Sequence, residues 1–72
     1  MMCLSELRRG QAATVANIPD EQLRVQLLRF GITAGCRVVC DTRLWAGPVV
    51  LRYGGQEIAL GREVAKQIRV AR

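Results

Sequence analysis

The chain contains no histidine, only one serine and only three aromatic residues among its 72 residues. Histidine is the commonest metal ligand and the side chain best suited to proton transfer near neutral pH, so both of its roles need another residue here. The one serine, Ser5, has no lysine near it in the sequence. Asp20 and Glu21 are adjacent, a position typical of charges that start a helix rather than of an acid and base pair. The sequence therefore predicts a protein that is not an enzyme and binds no cofactor.

Long apolar runs are also missing. No stretch approaches the roughly 18–20 apolar residues that span a bilayer. The first residues lack the basic and then apolar pattern of a signal peptide. A length of 72 residues leaves room for one small core. We therefore expect a single domain over residues 1–72, soluble and cytoplasmic.

Cysteine is present in an odd number, which argues against a secreted disulfide framework. Cys36 and Cys40 are four residues apart in a predicted strand, so their Cα atoms would lie about 13 Å apart. A disulfide requires less than about 7 Å. Cys36, Val38 and Cys40 would face one way, and their apolar neighbours favour buried core thiols. Ligation of a soft metal by the cysteines is the alternative.

Positive charge is abundant, with a formal net charge of +5. The arginines are spread over the whole chain: Arg8, Arg9, Arg24, Arg29, Arg37, Arg43, Arg52, Arg62, Arg69 and Arg72. Phosphate binding needs basic residues gathered on one surface, and single strands also need aromatic platforms. The pattern favours a solvated, arginine-rich surface and no direct nucleic-acid binding. Attraction to an acidic partner or an anionic membrane surface remains open.

The spacing of apolar and turn residues predicts a mainly β fold with short helices. A helix over residues 20–29 should begin at Asp20, bury Leu23, Leu27 and Phe30 with Leu28 beside them, and end at Gly31. Strands are predicted over residues 11–18, 37–42, 48–53, 56–60 and 68–70, with a Gly54–Gly55 hairpin turn and a short helix over 61–67. This pattern indicates a small SH3-like β-barrel of about five strands, with a helix inserted between strands one and two.

Five residues are candidates for binding a partner. Leu44 and Trp45 occupy an irregular connection next to Arg43, and tryptophan is enriched at interface hot spots. The alternative is that Trp45 folds back and closes the core. Arg24 and Arg29 fall on the outer face of the predicted helix, where they would steer an acidic surface or simply be solvated.

The order of these motifs resembles the FeoA family of bacterial ferrous-iron transport. The matching residues are Leu4-Ser5-Glu6-Leu7, Gly10-Gln11, Leu23, Arg24, Leu27-Leu28, Gly31-Ile32, Gly35, Gly47-Pro48-Val49, Ile58-Ala59-Leu60, Ala65, Ile68 and Val70. Two segments depart from the pattern. Arg43-Leu44-Trp45-Ala46 replaces an Ala-Pro-Leu-Gly-like run, and Gly61 stands where a basic residue is common.

The resemblance implies an SH3-like barrel with an added helix. It also implies a cytosolic accessory role beside the ferrous-iron permease FeoB, which carries a cytoplasmic GTP-binding domain. Contact with the membrane would then occur only through that partner. An alternative is a stand-alone barrel that partners an iron-dependent transcriptional regulator, since such repressors carry a similar domain. Exposed strand edges would also allow a homo-oligomer.

Overall fold

The computed structural model describes residues 2–43 and 46–72, so Met1, Leu44 and Trp45 lie outside the described part of the chain. Its elements, in chain order, are β1 (Met2–Cys3), a 3₁₀ turn (Leu4–Glu6), β2 (Ala12–Asn17), α1 (Glu21–Leu28), β3 (Arg37–Cys40), β4 (Val49–Tyr53), β5 (Gln56–Leu60), α2 (Arg62–Ala65) and β6 (Arg69–Ala71). None of the described helices is both long and apolar enough to cross a membrane.

The six strands form one sheet in the order β1-β6-β2-β3-β4-β5, and every pairing is antiparallel. β4 and β5 make a hairpin that closes at Tyr53 and Gln56. Its two turn residues, Gly54 and Gly55, have φ of 59° and 80°. A two-residue type I′ turn requires positive φ at both positions, so the predicted glycine hairpin is confirmed.

The sheet is mainly antiparallel with few helices, as predicted, but it differs from the predicted barrel in two ways. Over the described ranges β1 and β5 are the free ends of the sheet, so closure into a barrel is not confirmed. The sheet also has six strands rather than about five. The additional strand, β1, is only two residues long and pairs with β6 through Met2 and Val70. A two-residue strand is too short to show an alternating pattern.

Helix α1 lies between β2 and β3, the predicted first and second strands. The Asp20 carboxylate accepts hydrogen bonds from the backbone N–H groups of Gln22, at 2.9 Å, and Leu23, at 3.2 Å. These bonds satisfy donors that the first helical turn leaves unpaired, so Asp20 is the predicted N-cap. The turn that terminates the helix after Leu28 contains Gly31, which has φ of 81°. The Gly31 and Ile32 N–H groups donate to Leu28 O and Leu27 O, the Schellman pattern.

One hydrophobic cluster joins the inner face of the sheet to α1, the 3₁₀ turn and α2. Its buried members are Leu4, Leu7, Ala13, Val15, Ile18, Leu23, Leu27, Ile32, Val38, Cys40, Val49, Leu51, Ile58, Ala65, Ile68 and Val70. Leu23 and Leu27 thus lie in the core, as the i, i+4 spacing predicts.

Three residues predicted to be in the core are placed differently. Leu28 and Phe30 are 58% and 43% exposed. Leu28 lies about 100° around the helix from Leu27, outside the buried stripe, and Phe30 lies beyond the C-cap residue Arg29. Cys40 is buried as predicted, but Cys36 is only half-buried, because it precedes β3 and lies in the turn after α1.

Candidate functional site

The outward face of α1 carries an exposed apolar strip with an arginine on each side. Val25 is 52% exposed and Leu28 is 58% exposed. At 100° per residue, Arg24, Leu28, Val25 and Arg29 follow one another within a sector of about 140°. Glu21 lies in the same sector at the N-terminal end of the helix. The strip therefore combines two desolvatable aliphatic side chains with two flanking positive charges.

A shallow groove runs from this strip toward the turn after the helix. Its volume is about 160 Å³, and its lining consists of Arg24, Val25, Leu28, Ile32, Thr33 and Ala34. Ile32 is 1% exposed and belongs to the core cluster. The groove therefore has a rigid apolar base, and the side chains at its rim are accessible. An apolar side chain of a partner that entered it would lose its contact with water.

Arg24 is held in place beside this groove. Its Nη1 donates a hydrogen bond of 3.2 Å to the backbone carbonyl of Ile18, which precedes the helix. That bond uses one of the five N–H donors of the guanidinium, so the remaining donors can face a carboxylate. Arg29 is exposed at the C-cap position of α1. The structure thus brings two of the five predicted site residues, Arg24 and Arg29, to one surface.

The other three predicted residues are separate from this surface or cannot be placed. Arg43 is exposed and lines two other clefts, neither of which includes Arg24 or Arg29. Leu44 and Trp45 lie outside the described residues. The proposed Leu44–Trp45 anchor therefore stays a prediction.

Sequence reasoning missed the exposure of Val25 and Leu28, although a signal for it is present. Two of the four apolar side chains in α1, Leu23 and Leu27, already account for its buried stripe. The other two, Val25 and Leu28, are three residues apart and therefore share a different face. An eight-residue helix with more apolar side chains than one face can hold indicates a second contact surface.

Cys36 forms a polar cluster where the turn after α1 meets β4. Its thiol lies 3.3 Å from the Tyr53 hydroxyl and 3.4 Å from the Thr33 backbone nitrogen. Hydrogen bonding by Tyr53, and then by Thr33, favours the thiolate and lowers the pKa of Cys36. The same contact with Cys36 raises the pKa of Tyr53. In residues 2–43 and 46–72, no three cysteine or carboxylate side chains lie close enough together to hold a metal ion.

The antiparallel sheet, covered on one face by α1, α2 and the 3₁₀ turn, defines a small β domain, and among residues 2–43 and 46–72 the outer face of α1 exposes two large apolar side chains, Val25 and Leu28. The chain matches the FeoA domain over residues 2–72 and belongs to that family. Among curated proteins, none matches the chain.

Solved structures of similar proteins agree with this family. The chain resembles an iron uptake regulatory protein (FeoA) seen in a crystal structure, with 28% identity and a TM-score of 0.85 over 97% of this chain and 95% of the other. It also resembles the FeoA protein of Chlorobium tepidum solved by NMR, with 25% identity and a TM-score of 0.85 over 97% and 69% of the two chains. A third similar protein is a manganese-dependent transcriptional repressor, with 28% identity and a TM-score of 0.80 over 96% of this chain and 40% of the repressor.

Proposed function

We propose that this protein is a cytoplasmic, non-catalytic accessory protein of ferrous iron uptake that docks on the cytoplasmic GTP-binding region of the ferrous-iron permease FeoB. Family membership supports a role in iron transport. The observation that carries the docking proposal is the exposure of Val25 and Leu28 on one helix face between two arginines. We place the primary contact there.

The chemistry of the strip indicates what the partner surface should contain. Burial of the exposed parts of Val25 and Leu28 against a partner would contribute about 25 cal/mol of binding free energy per Å² of apolar surface removed from water. Arg24 and Arg29 would pair with carboxylates of the partner, which speeds the encounter and sets the orientation more than it adds affinity. The complementary surface is therefore an apolar patch flanked by acidic residues.

A second contact is proposed at the connection that contains Arg43, Leu44 and Trp45. Arg43 is exposed, and a Leu–Trp pair in a connecting segment suits an anchor in a partner pocket. This contact and the α1 strip are separate hypotheses, because Arg43 shares no cleft with Arg24. Trp45→Ala tests the connection alone. Loss of binding with a folded domain supports an anchor, whereas loss of folding means that Trp45 closes the core.

The docking proposal is tested by NMR titration of the ¹⁵N-labelled protein with the purified GTP-binding domain of FeoB from the same organism. Saturable shifts are expected at Arg24, Val25, Leu28 and the groove residue Ala34. Leu28→Ala should weaken binding about tenfold, since a central apolar contact is worth more than about 1 kcal/mol. Arg24→Gln should slow association, and the effect should shrink at high salt.

Arg37→Gln is the matched control, because it removes the same charge from an exposed arginine on the sheet. It should leave the affinity within twofold of the wild-type value. Shifts that avoid α1, or equal losses for Arg37→Gln and Arg24→Gln, would place the contact elsewhere. No saturable shifts at all would remove the GTP-binding domain as the direct partner.

A second candidate function is favoured by the similarity to the manganese-dependent repressor, of which this chain covers 40%. The protein would then be a stand-alone domain that binds an iron-dependent transcriptional regulator. The same labelled sample distinguishes the two. Saturable binding to a regulator from the same organism, with none to the GTP-binding domain, would favour this second role.

A further inference from the structure

Four arginines from three separate segments of the sequence line one cleft on the side of the domain formed by the 3₁₀ turn and the start of α2. They are Arg8, Arg9, Arg43 and Arg62, and the cleft has a volume of about 360 Å³. The even spread of arginines along the chain gives no sign of this cluster. It arises because three segments of the fold converge at one place.

Backbone hydrogen bonds bring the first two segments together. The turn that holds Arg8 and Arg9 is tied to the end of β3, since Gly10 N–H donates to Cys40 O at 2.8 Å and Cys40 N–H donates to Gln11 O at 2.8 Å. Arg43 follows β3 by three residues and therefore lies near this turn. The position of the cluster is thus determined by the sheet.

The third segment is the start of α2. Arg62, its first residue, donates from Nε to the carbonyl of Gly47 at 2.8 Å. Leu4 N–H donates to Ile68 O at 2.9 Å, which joins the 3₁₀ turn to the segment after α2. Arg62 is therefore held against the same cleft.

Nearby carboxylates do not balance the positive charge. Among the described residues that line the cleft, Glu6 is the one acid, and its Oε1 already accepts a 2.7 Å hydrogen bond from Cys3 N–H. Asp41 forms two ion pairs, with Oδ1 3.8 Å from Arg9 Nε and Oδ2 3.9 Å from Arg52 Nε. Its hydrogen bond with Glu57 and the charges of the surrounding arginines lower its pKa, so Asp41 is an anion at neutral pH. With Arg52 and Glu57 counted beside Asp41, five arginines face three acids, Glu6, Asp41 and Glu57, so two formal positive charges remain in excess.

The cleft also offers hydroxyl donors. Thr42 Oγ1 accepts hydrogen bonds from Val50 N–H at 2.9 Å and from the Cys40 thiol at 3.4 Å. The Val50 bond uses the oxygen as an acceptor, so the Thr42 hydroxyl keeps a hydrogen with which it can donate. Ser5 lines the same cleft and is half-buried. Arginine side chains with hydroxyl donors beside them match the oxygen atoms of a phosphate group.

We propose that this arginine cleft binds a phosphate-bearing anion. The excess positive charge attracts the anion, and the planar guanidinium groups supply paired hydrogen-bond donors. The hydroxyls of Thr42 and Ser5 donate further hydrogen bonds to its oxygen atoms. The cleft lies apart from the α1 strip, because the two share no lining residue. Binding of this anion therefore does not depend on docking through the α1 strip, whereas Arg43 belongs both to this cleft and to the second proposed contact.

The test is titration of the ¹⁵N-labelled protein with inorganic pyrophosphate at constant ionic strength, with chloride as the balancing anion. Saturable shifts are expected at Ser5, Arg8, Thr42 and Arg43. The double variant Arg8→Gln/Arg43→Gln should bind about tenfold more weakly, because two exposed arginines are removed and each contributes about a factor of three. If that variant does not fold, Arg8→Gln alone should bind about threefold more weakly, a smaller loss because one exposed side chain is removed.

The matched control is Arg29→Gln/Arg37→Gln, which has the same net charge and an intact cleft. It should change the affinity less than twofold. A parallel sedimentation assay compares vesicles that contain phosphatidylglycerol with vesicles of phosphatidylcholine alone. Vesicle binding that depends on Arg8 and Arg43, without pyrophosphate binding, would identify a lipid headgroup as the source of the phosphate. Pyrophosphate binding alone would identify a small soluble anion.

Two results would overturn the proposal. One is the absence of saturable binding in both assays. The other is an equal loss of affinity in the cleft variant and in the control, which would mean that the protein attracts anions only through its overall positive charge.

Discussion

Replacing Leu27 and Leu28 separately with alanine tests whether the outer face of α1 is a contact surface rather than part of the core. The two leucines are neighbours in the chain and undergo the same chemical change. They differ in environment, because Leu27 is 2% exposed and Leu28 is 58% exposed. The first belongs to the core cluster, and the second lies on the strip between Arg24 and Arg29.

The expected losses of stability follow from this difference. Leucine to alanine removes three carbon atoms, worth about 2.4 kcal/mol when fully buried at about 0.8 kcal/mol per carbon. The cavity left at Leu27 raises the loss to about 3 kcal/mol or more. At Leu28 less than half of the side chain is buried, so the loss is below about 1 kcal/mol, and the better helix propensity of alanine offsets part of it.

Urea denaturation followed by far-ultraviolet circular dichroism measures both losses. A 72-residue domain has a total stability of about 4–11 kcal/mol. With a slope of about 1 kcal/mol per molar urea, Leu27→Ala should lower the midpoint by about 3 M and Leu28→Ala by less than 1 M. The reasoning is refuted if the two variants lose equal stability, or if Leu28→Ala is the more destabilised.

Two further predictions concern the turn after α1. Gly31→Ala should lower the free energy of unfolding by about 1–2 kcal/mol in thermal or chemical denaturation, because φ at this position is +81°. The new Cβ adds no clash to this backbone strain, since it would lie 3.6 Å from Tyr53 Cε2, an ordinary contact distance. The control Gly61→Ala, where φ is −57°, should change stability by less than about 0.5 kcal/mol, and equal effects would contradict the argument. In a Cys3→Ser background, iodoacetamide should modify Cys36 with a midpoint below pH 9.0, and Tyr53→Phe should move that midpoint upward. The folded chain then releases the Cys36 thiol proton at lower pH than the unfolded chain does, so the free energy of unfolding should rise with pH between the lowered pKa and 9.0. This rise should be steeper in the wild type than in Tyr53→Phe, which lacks the hydroxyl that lowers the pKa most.

The elements that short-range physics controls were predictable from the sequence. Asp20 as the helix cap, Gly31 as its end and Gly54–Gly55 as a type I′ turn each depend on a few neighbouring atoms. Strand β5 was predicted with its observed limits, because alternation and the preceding glycine turn define both ends. The family was also recognisable, since its motifs cover nearly the whole chain.

The candidate site was only partly predictable. Arg24 and Arg29 could be assigned to the outer helix face from periodicity, and they lie there. The exposure of Leu28 and Val25 between them was not predicted, although α1 carries more apolar side chains than one buried face can hold. Exposure is decided by how much of the helix the sheet covers, which depends on residues distant in the chain.

Local patterns of caps, turns and alternation by themselves determined the types and order of the helices and of every strand but β1, and the family of this protein. Only the tertiary structure decided the order of strands in the sheet, the exposure of the α1 strip and the convergence of Arg8, Arg9, Arg43 and Arg62 on one cleft. The physical reason is the distance along the chain over which the stabilising interactions act. A cap or a turn is stabilised by atoms within about four residues, whereas burial and charge clustering are sums over segments that meet only when the sheet forms.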